Sequence, residues 1–159
     1  MASTESPGFE LPLRLLLGFR ALVDQLNAQL AREGHPGVRP VHGFALQAVG
    51  PTGTTAVELG RRLGVSKQAA GKTIDALQRL GYVQRRDDPA DARRKVVAIT
   101  PRGRDCLVRS ARIFDELRRG WAEVLGETRL RALEDDLRRV APGEPLGVDA
   151  PGWLGAADG

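Results

Sequence analysis

From Thr55 to Gly81 the chain is punctuated so closely that few folds can hold it. Thr55-Ala56-Val57-Glu58 has the form of a capping box, in which a threonine oxygen and a glutamate carboxylate satisfy the free backbone donors of a helix start. Ala56, Leu59 and Leu63 then share one face, and Gly64 stands where a left-handed residue closes a helix. Val65-Ser66 reopens the chain. Ser66 is a good N-cap, and Ala70, Ile74, Leu77 and Leu80 fall on one face of the helix that follows, up to Gly81. Two short amphipathic helices joined by a glycine-containing corner are the sequence form of a helix-turn-helix.

The flanks fit around this unit. Leu15, Phe19, Leu22, Leu26 and Leu30 recur at helical spacing, with Leu16, Leu17 and Val23 widening the stripe, which predicts a helix over 13–31. A stripe that wide serves a helix packed both on its own core and on a second subunit. A shorter helix is predicted over 41–49, ending at Gly50-Pro51. After Gly81, residues 82–86 and 95–100 read as short strands separated by an eight-residue polar tip. Thr100-Pro101 supplies an N-cap followed by proline at the first helical position. The long helix beginning there presents Cys106, Ser110, Ile113, Leu117, Trp121 and Val124 on one face. Leu130, Leu133, Leu137 and Val140 mark a last helix beyond Gly126. The expected fold is mostly α with a small β-wing.

Charge is distributed unevenly along the chain. Of the 24 Lys and Arg residues, 12 fall within 61–104 against four Asp, a local net of +8, while the remaining residues sum to −4. A surplus confined to one segment points to a polyanion-binding face, since a general solubility charge has no reason to gather there. The helix begun by Ser66 turns Lys67, Gln68, Gly71 and Lys72 away from its apolar face, and a helix of this diameter enters the major groove of duplex DNA. Gln68 matches adenine, Lys67 and Lys72 match guanine or phosphate, and Gly71 leaves space for a close approach. Arg61, Arg62, Arg85, Arg86, Arg94 and Lys95 are placed for phosphates, which give affinity with little sequence choice.

Composition closes other routes. Cys106 is the only cysteine, which excludes an internal disulfide framework and a multi-cysteine metal site. No apolar stretch is long enough to span a bilayer and no basic-then-apolar signal opens the sequence, so the expected location is the cytoplasm, without membrane contact. His35 and His42 lack metal-ligand spacing; no metal and no cofactor are expected. No Ser/His/Asp set, phosphate loop or HExxH helix appears, so no catalytic residue is assigned and an enzyme is not expected. A winged helix serving as a protein-interaction module is the competing class, distinguished by apolar residues exposed on its second helix, where this chain has Lys67, Gln68 and Lys72.

The order of elements, together with Glu58-Leu59, Leu63-Gly64-Val65-Ser66, Leu80-Gly81-Tyr82-Val83, Asp91-Ala92-Arg93 and Ile99-Thr100-Pro101-Arg102-Gly103, resembles the multiple-antibiotic-resistance regulator (MarR) family of winged helix-turn-helix transcriptional regulators over roughly residues 12–140. Small polar residues over 1–11 and the Pro/Gly-rich stretch over 142–159, where Trp153 lies, read as tails; the resemblance implies an N-terminal dimerisation helix over 12–35, a DNA-binding lobe over 40–100 and C-terminal dimerisation helices over 101–141. It implies a homodimer on a pseudo-palindromic operator in double-stranded DNA, acting as a repressor. It also assigns Arg93 to the minor groove, with Asp91 orienting it through a salt bridge. Release by a small aromatic or anionic effector is implied too, in a cleft lined by Phe19, His42, Phe44, Cys106 and Ile113. Gly71 and the Ala69-Ala70 pair depart from the bulkier residues usual in the family, which leaves base preference open.

Overall fold

Each predicted cap forms. Thr55 Oγ1 accepts from the Glu58 amide, Ser66 Oγ from the Ala69 amide and Thr100 Oγ1 from the Gly103 amide, and each opens a helix. The structure, a computed structural model, describes residues 7–142. Its elements run α1 (Glu10–Arg32), α2 (Pro40–Val49), α3 (Ala56–Leu63), α4 (Lys67–Arg79), β1 (Val83–Asp88), β2 (Asp91–Ile99), α5 (Pro101–Leu125) and α6 (Glu127–Val140). The strands form an antiparallel hairpin, and Thr54 adds a single bridge to Val97 at its base.

Three expectations need correction. Only half of the capping box at Thr55 forms, because the Glu58 carboxylate turns to the Arg61 and Arg62 guanidiniums, which offer charged donors in place of a backbone amide. The wing strands are longer than predicted: Asp87 pairs with Lys95 and Asp88 with Asp91, with Ala92, Arg93 and Arg94 bulging out of the pairing between them, which leaves a tight turn at Pro89-Ala90. Asp88 makes this possible by accepting the Ala90 amide at 2.9 Å. Helix α1 also begins at Glu10, so Glu10 and Leu11 belong to it and not to a tail. Trp153 and the 142–159 tail beyond residue 142 lie outside the described residues.

The core draws on α1 to α5 and the hairpin. Leu26 and Leu30 of α1, Leu46 and Val49 of α2, Leu59 of α3, Ile74 and Leu77 of α4, Tyr82, Val97, Cys106 and Ile113 form one buried cluster. Each large aliphatic side chain so buried contributes about 1.5–3 kcal/mol. The helix-turn-helix corner is tight enough to forbid a side chain at Gly60, whose Cβ would stand 2.9 Å from the Val65 carbonyl. Gly103 is tighter still: a Cβ there would lie 2.3 Å from the Tyr82 carbonyl oxygen and 2.7 Å from Ile99 Cγ2.

Outside this cluster the apolar stripes run bare. Phe9, Leu11, Leu13, Leu15, Leu16, Leu17 and Phe19 of α1 and its entry are exposed, as are Val124, Leu133, Leu137 and Val140, so of the predicted α6 face only Leu130 is buried within one chain. Polar ties hold α1 to α5. Glu33, with a side chain only 16% exposed, accepts from Arg109 at 3.0 Å, from Arg112 and from Gln29 at 2.8 Å. The Arg112 guanidinium, with Gln29 and Arg109, pulls the Glu33 carboxyl down to about 2.

Two outcomes follow. Gly103→Ala must displace backbone and should lower stability by at least about 2 kcal/mol in urea denaturation; an unchanged midpoint would contradict the close packing of α5 on Tyr82. Because the folded Glu33 carboxyl titrates below its ordinary value of 4.5, its contribution is fully present above that pH and lost as pH falls toward about 2. The gap in urea midpoint between wild type and Glu33→Gln should therefore narrow across that window, and a constant gap would deny the clamp its role.

Candidate nucleic-acid interface

Helix α4 divides cleanly into two faces. Ala70, Ile74 and Leu77 are fully buried, whereas Lys67, Gln68 and Lys72 are exposed and Gly71 is half-buried. The division is set locally: Ser66 fixes the first residue of the helix and the 3.6-residue period does the rest. A Cβ at Gly71 would meet nothing within 4 Å, so its absence answers no internal packing need.

The wing stands beside this face. Arg86, Arg93, Arg94 and Lys95 are exposed on it. Asp91 does not form the expected salt bridge; its Oδ1 accepts the Arg93 backbone amide at 3.0 Å. The carboxylate thus fixes the turn and leaves the Arg93 guanidinium without an ion pair among the described residues. Lys95 pairs with Asp87, and Arg94 lies 3.9 Å from Asp88. Between the wing and the start of α3 opens a groove of about 940 Å³ whose lining includes Thr52, Thr55, Lys67, Arg86, Arg94 and Lys95.

Three expected phosphate ligands are held within the protein. Arg62 donates to the Ala48 carbonyl at 2.7 Å and to Glu58 at 3.0 Å, tying α3 to the end of α2. Arg61 makes a two-point contact with Glu58, and that guanidinium is the main reason the Glu58 carboxyl drops to about 2. Arg85 reaches back from the wing to Asp75 at 2.7 Å and Gln78 at 2.6 Å, bracing β1 against α4.

The five residues expected to line an effector cleft separate into different environments. Phe19 and Phe44 stack with ring centroids 6.2 Å apart. His42 is buried and its Nδ1 accepts the Arg39 amide at 3.1 Å, capping α2, with burial the main cause of its lowered pKa. Cys106 and Ile113 belong to the core, and burial pushes the Cys106 thiol up. Two features carry no sequence signal: the Thr52–Thr55 wall of the groove beyond the helix cap, and a polar junction in which His35 meets Tyr82 and Asp105. Among the described residues no cluster of three His, Cys, Asp or Glu could hold a metal ion, and no helix is long and apolar enough to cross a membrane.

Comparison with known proteins agrees with this geometry. The sequence model of the MarR family matches residues 37–94, whereas curated protein sequences give no match. The reduced form of MarR from E. coli is 23% identical with a TM-score of 0.69, covering 86% of this chain and 98% of its own. PcaV, a transcriptional regulator from Streptomyces coelicolor in complex with its natural ligand, is 21% identical with a TM-score of 0.61, covering 89% and 97%. A point mutant of MepR from S. aureus bound to an oligodeoxyribonucleotide is 17% identical with a TM-score of 0.58, covering 85% and 96%. Residues 37–94 thus carry the sequence pattern of the MarR family, within a chain that has the winged helix-turn-helix fold of MarR-family transcriptional regulators.

Proposed function

We propose that the protein is a homodimeric, sequence-specific double-stranded DNA-binding regulator, acting as a repressor on a pseudo-palindromic operator. The carrying observation is the bare polar face of α4, with Lys67, Gln68 and Lys72, set beside a wing whose Arg93 has its guanidinium free. Helix α4 reads base edges in the major groove, with Ser66 at its start and Gly71 allowing close approach. Arg93 enters the minor groove, where a narrow A·T-rich stretch concentrates negative potential. Arg86, Arg94 and Lys95 meet phosphates, and Arg61, Arg62 and Arg85 join them only by sharing donors already engaged inside the protein. The oligodeoxyribonucleotide on the MepR mutant supports the duplex as partner.

Dimerisation follows from the uncovered stripes of α1 and of the α5–α6 end, which a second copy would bury. A dimer lying across a promoter blocks polymerase with no further contact, which favours repression. The ligand on PcaV supports an effector, here a small aromatic or anionic compound admitted beside Phe19 and Phe44 near His42. Cys106 and Ile113 would back such a site from the core. The protein-interaction alternative requires large apolar residues on the free face of α4, which has none.

Selection of bound duplexes from a random pool tests the reading, and an inverted repeat is the expected product. On the selected duplex Arg93→Ala should weaken binding about tenfold or more and lower the log–log salt slope by about one. Arg139→Ala, on α6, should do neither; equal small effects would remove the wing from the interface. Gly71→Ala should stabilise the folded protein by about 0.5–1 kcal/mol, since it fills open space in a helix. If α4 approaches the bases closely, the same substitution reduces operator affinity, and an affinity that rises instead would place Gly71 outside the contact.

A further inference from the structure

The free end of α4 is locked to two other elements at one polar junction. Arg102, in the first turn of α5, donates from Nε to the Leu80 carbonyl at 3.1 Å and from Nη2 to the Gly34 carbonyl at 3.0 Å. One guanidinium thereby ties the end of the reading helix to the α1–α2 loop. The same group lies 5.1 Å from the centroid of the Tyr82 ring. Tyr82 is fully buried directly after α4, and its hydroxyl sits 3.1 Å from His35 Nδ1. His35 is 2% exposed, and its Nε2 lies 2.8 Å from Asp105 of α5. Asp105 is in turn held by Arg109, which also grips Glu33 at the end of α1.

We propose that this junction of His35, Tyr82 and Arg102 determines which half-site spacing the protein accepts. The inference rests on the dimeric DNA-binding reading above. Adding or removing one base pair between half-sites moves them about 3.4 Å apart along the duplex and rotates them by about 34°. To follow, each reading lobe must swing against α1 and α5, which carry the exposed apolar stripes. Besides the bonds from Thr100, at the start of α5, to the Gly81 and Tyr82 carbonyls, the lobe and the long helices meet through apolar packing such as Leu46 of α2 in one cluster with Ile113 of α5. Apolar contact is non-directional and slides at modest cost, whereas hydrogen bonds weaken steeply once bent. The junction supplies directional bonds on three elements at once, so it resists the swing. His35, Tyr82 and Arg102 are positioning residues: they touch no DNA and act through the angle of α4.

The test uses the full chain and the duplex selected by wild type, with the spacer lengthened and shortened by one base pair. Wild type should lose about tenfold in affinity at each altered spacing. Tyr82→Phe, which removes only the hydroxyl, and Arg102→Gln, which cuts both carbonyl ties on the surface, should each shrink that ratio about threefold or more. Arg139→Ala should leave the ratio unchanged. The ratio separates positioning from folding, because a loss of stability lowers affinity for every spacing alike. If Tyr82→Phe does not fold, Arg102→Gln decides alone. Ratios equal to wild type in the folded variants would overturn the proposal. So would a wild type that selects an inverted repeat yet ignores its spacing, which leaves the DNA-binding reading intact; a wild type that selects no duplex sinks both.

Discussion

Burial of one face of α4 is the constraint from which the other features follow. Ala70, Ile74 and Leu77 must leave water together, and a helix that buries three residues at that period necessarily turns Lys67, Gln68 and Lys72 outward. The partners that receive this face fix their own geometry in turn. Leu59 enters the same cluster from α3, which requires the corner between the helices to be close enough that Gly60 meets the Val65 carbonyl. Val83 and Val97 enter it from the hairpin, so the base of the wing is anchored in the core while Arg86 and Lys95 line one groove with Lys67 of α4.

The positive charge of the middle segment is smaller at its surface than a residue count implies. Arg61, Arg62 and Arg85 are bonded to Glu58, Asp75 or backbone oxygens, and Arg102 spans two carbonyls. Guanidinium suits these posts because its planar fork serves two acceptors while its charge stays partly solvated. Arg86 and Arg93, together with Lys67 and Lys72, form no ion pair among the described residues, and Lys67 and Arg86 line one groove between the wing and the start of α3. Arginine thus has two uses in this fold, and only the local acceptor geometry separates them. Glu58 illustrates the point: it is placed to close a capping box, but two guanidiniums on its own helix outcompete a backbone amide for its oxygens.

That example also marks how far the sequence could be read. Thr55, Ser66 and Thr100-Pro101 were legible because a helix cap is decided within three residues, and the α4 faces were legible because periodicity is local. The wing's full length is not legible, since alternation fades where charged residues fill both sides of a hairpin, and the Asp88 turn that allows strand pairing leaves no apolar trace. Asp91 serves a backbone amide two residues on and not the Arg93 side chain, a choice that composition does not encode. His35 was unreadable in principle: its partners lie 47 and 70 residues away, and a histidine in a Gly-Pro loop carries no period. The close approach at Gly103 was equally silent, because it is the Tyr82 backbone and not a residue type that demands it.

The exposed stripes bear on how such a fold would be switched. Phe9 is 70% exposed and Val124 84%, while Leu30 at the other end of α1 is fully buried, so one helix carries both a core and an unfinished surface. In the proposed dimer a second copy would cover that surface and make α1 and α5 a shared frame, relative to which each lobe would have its orientation. A ligand shifts such a system solely through a difference in its affinity for two orientations, however tightly it binds either one. Phe19 and Phe44 place one ring on the frame and one on the α2 edge of the lobe, stacked across the boundary. On the reading proposed above, a compound that separated those rings would act on the same relative angle that His35 and Arg102 hold, and its effect would be limited by the stiffness of that polar junction.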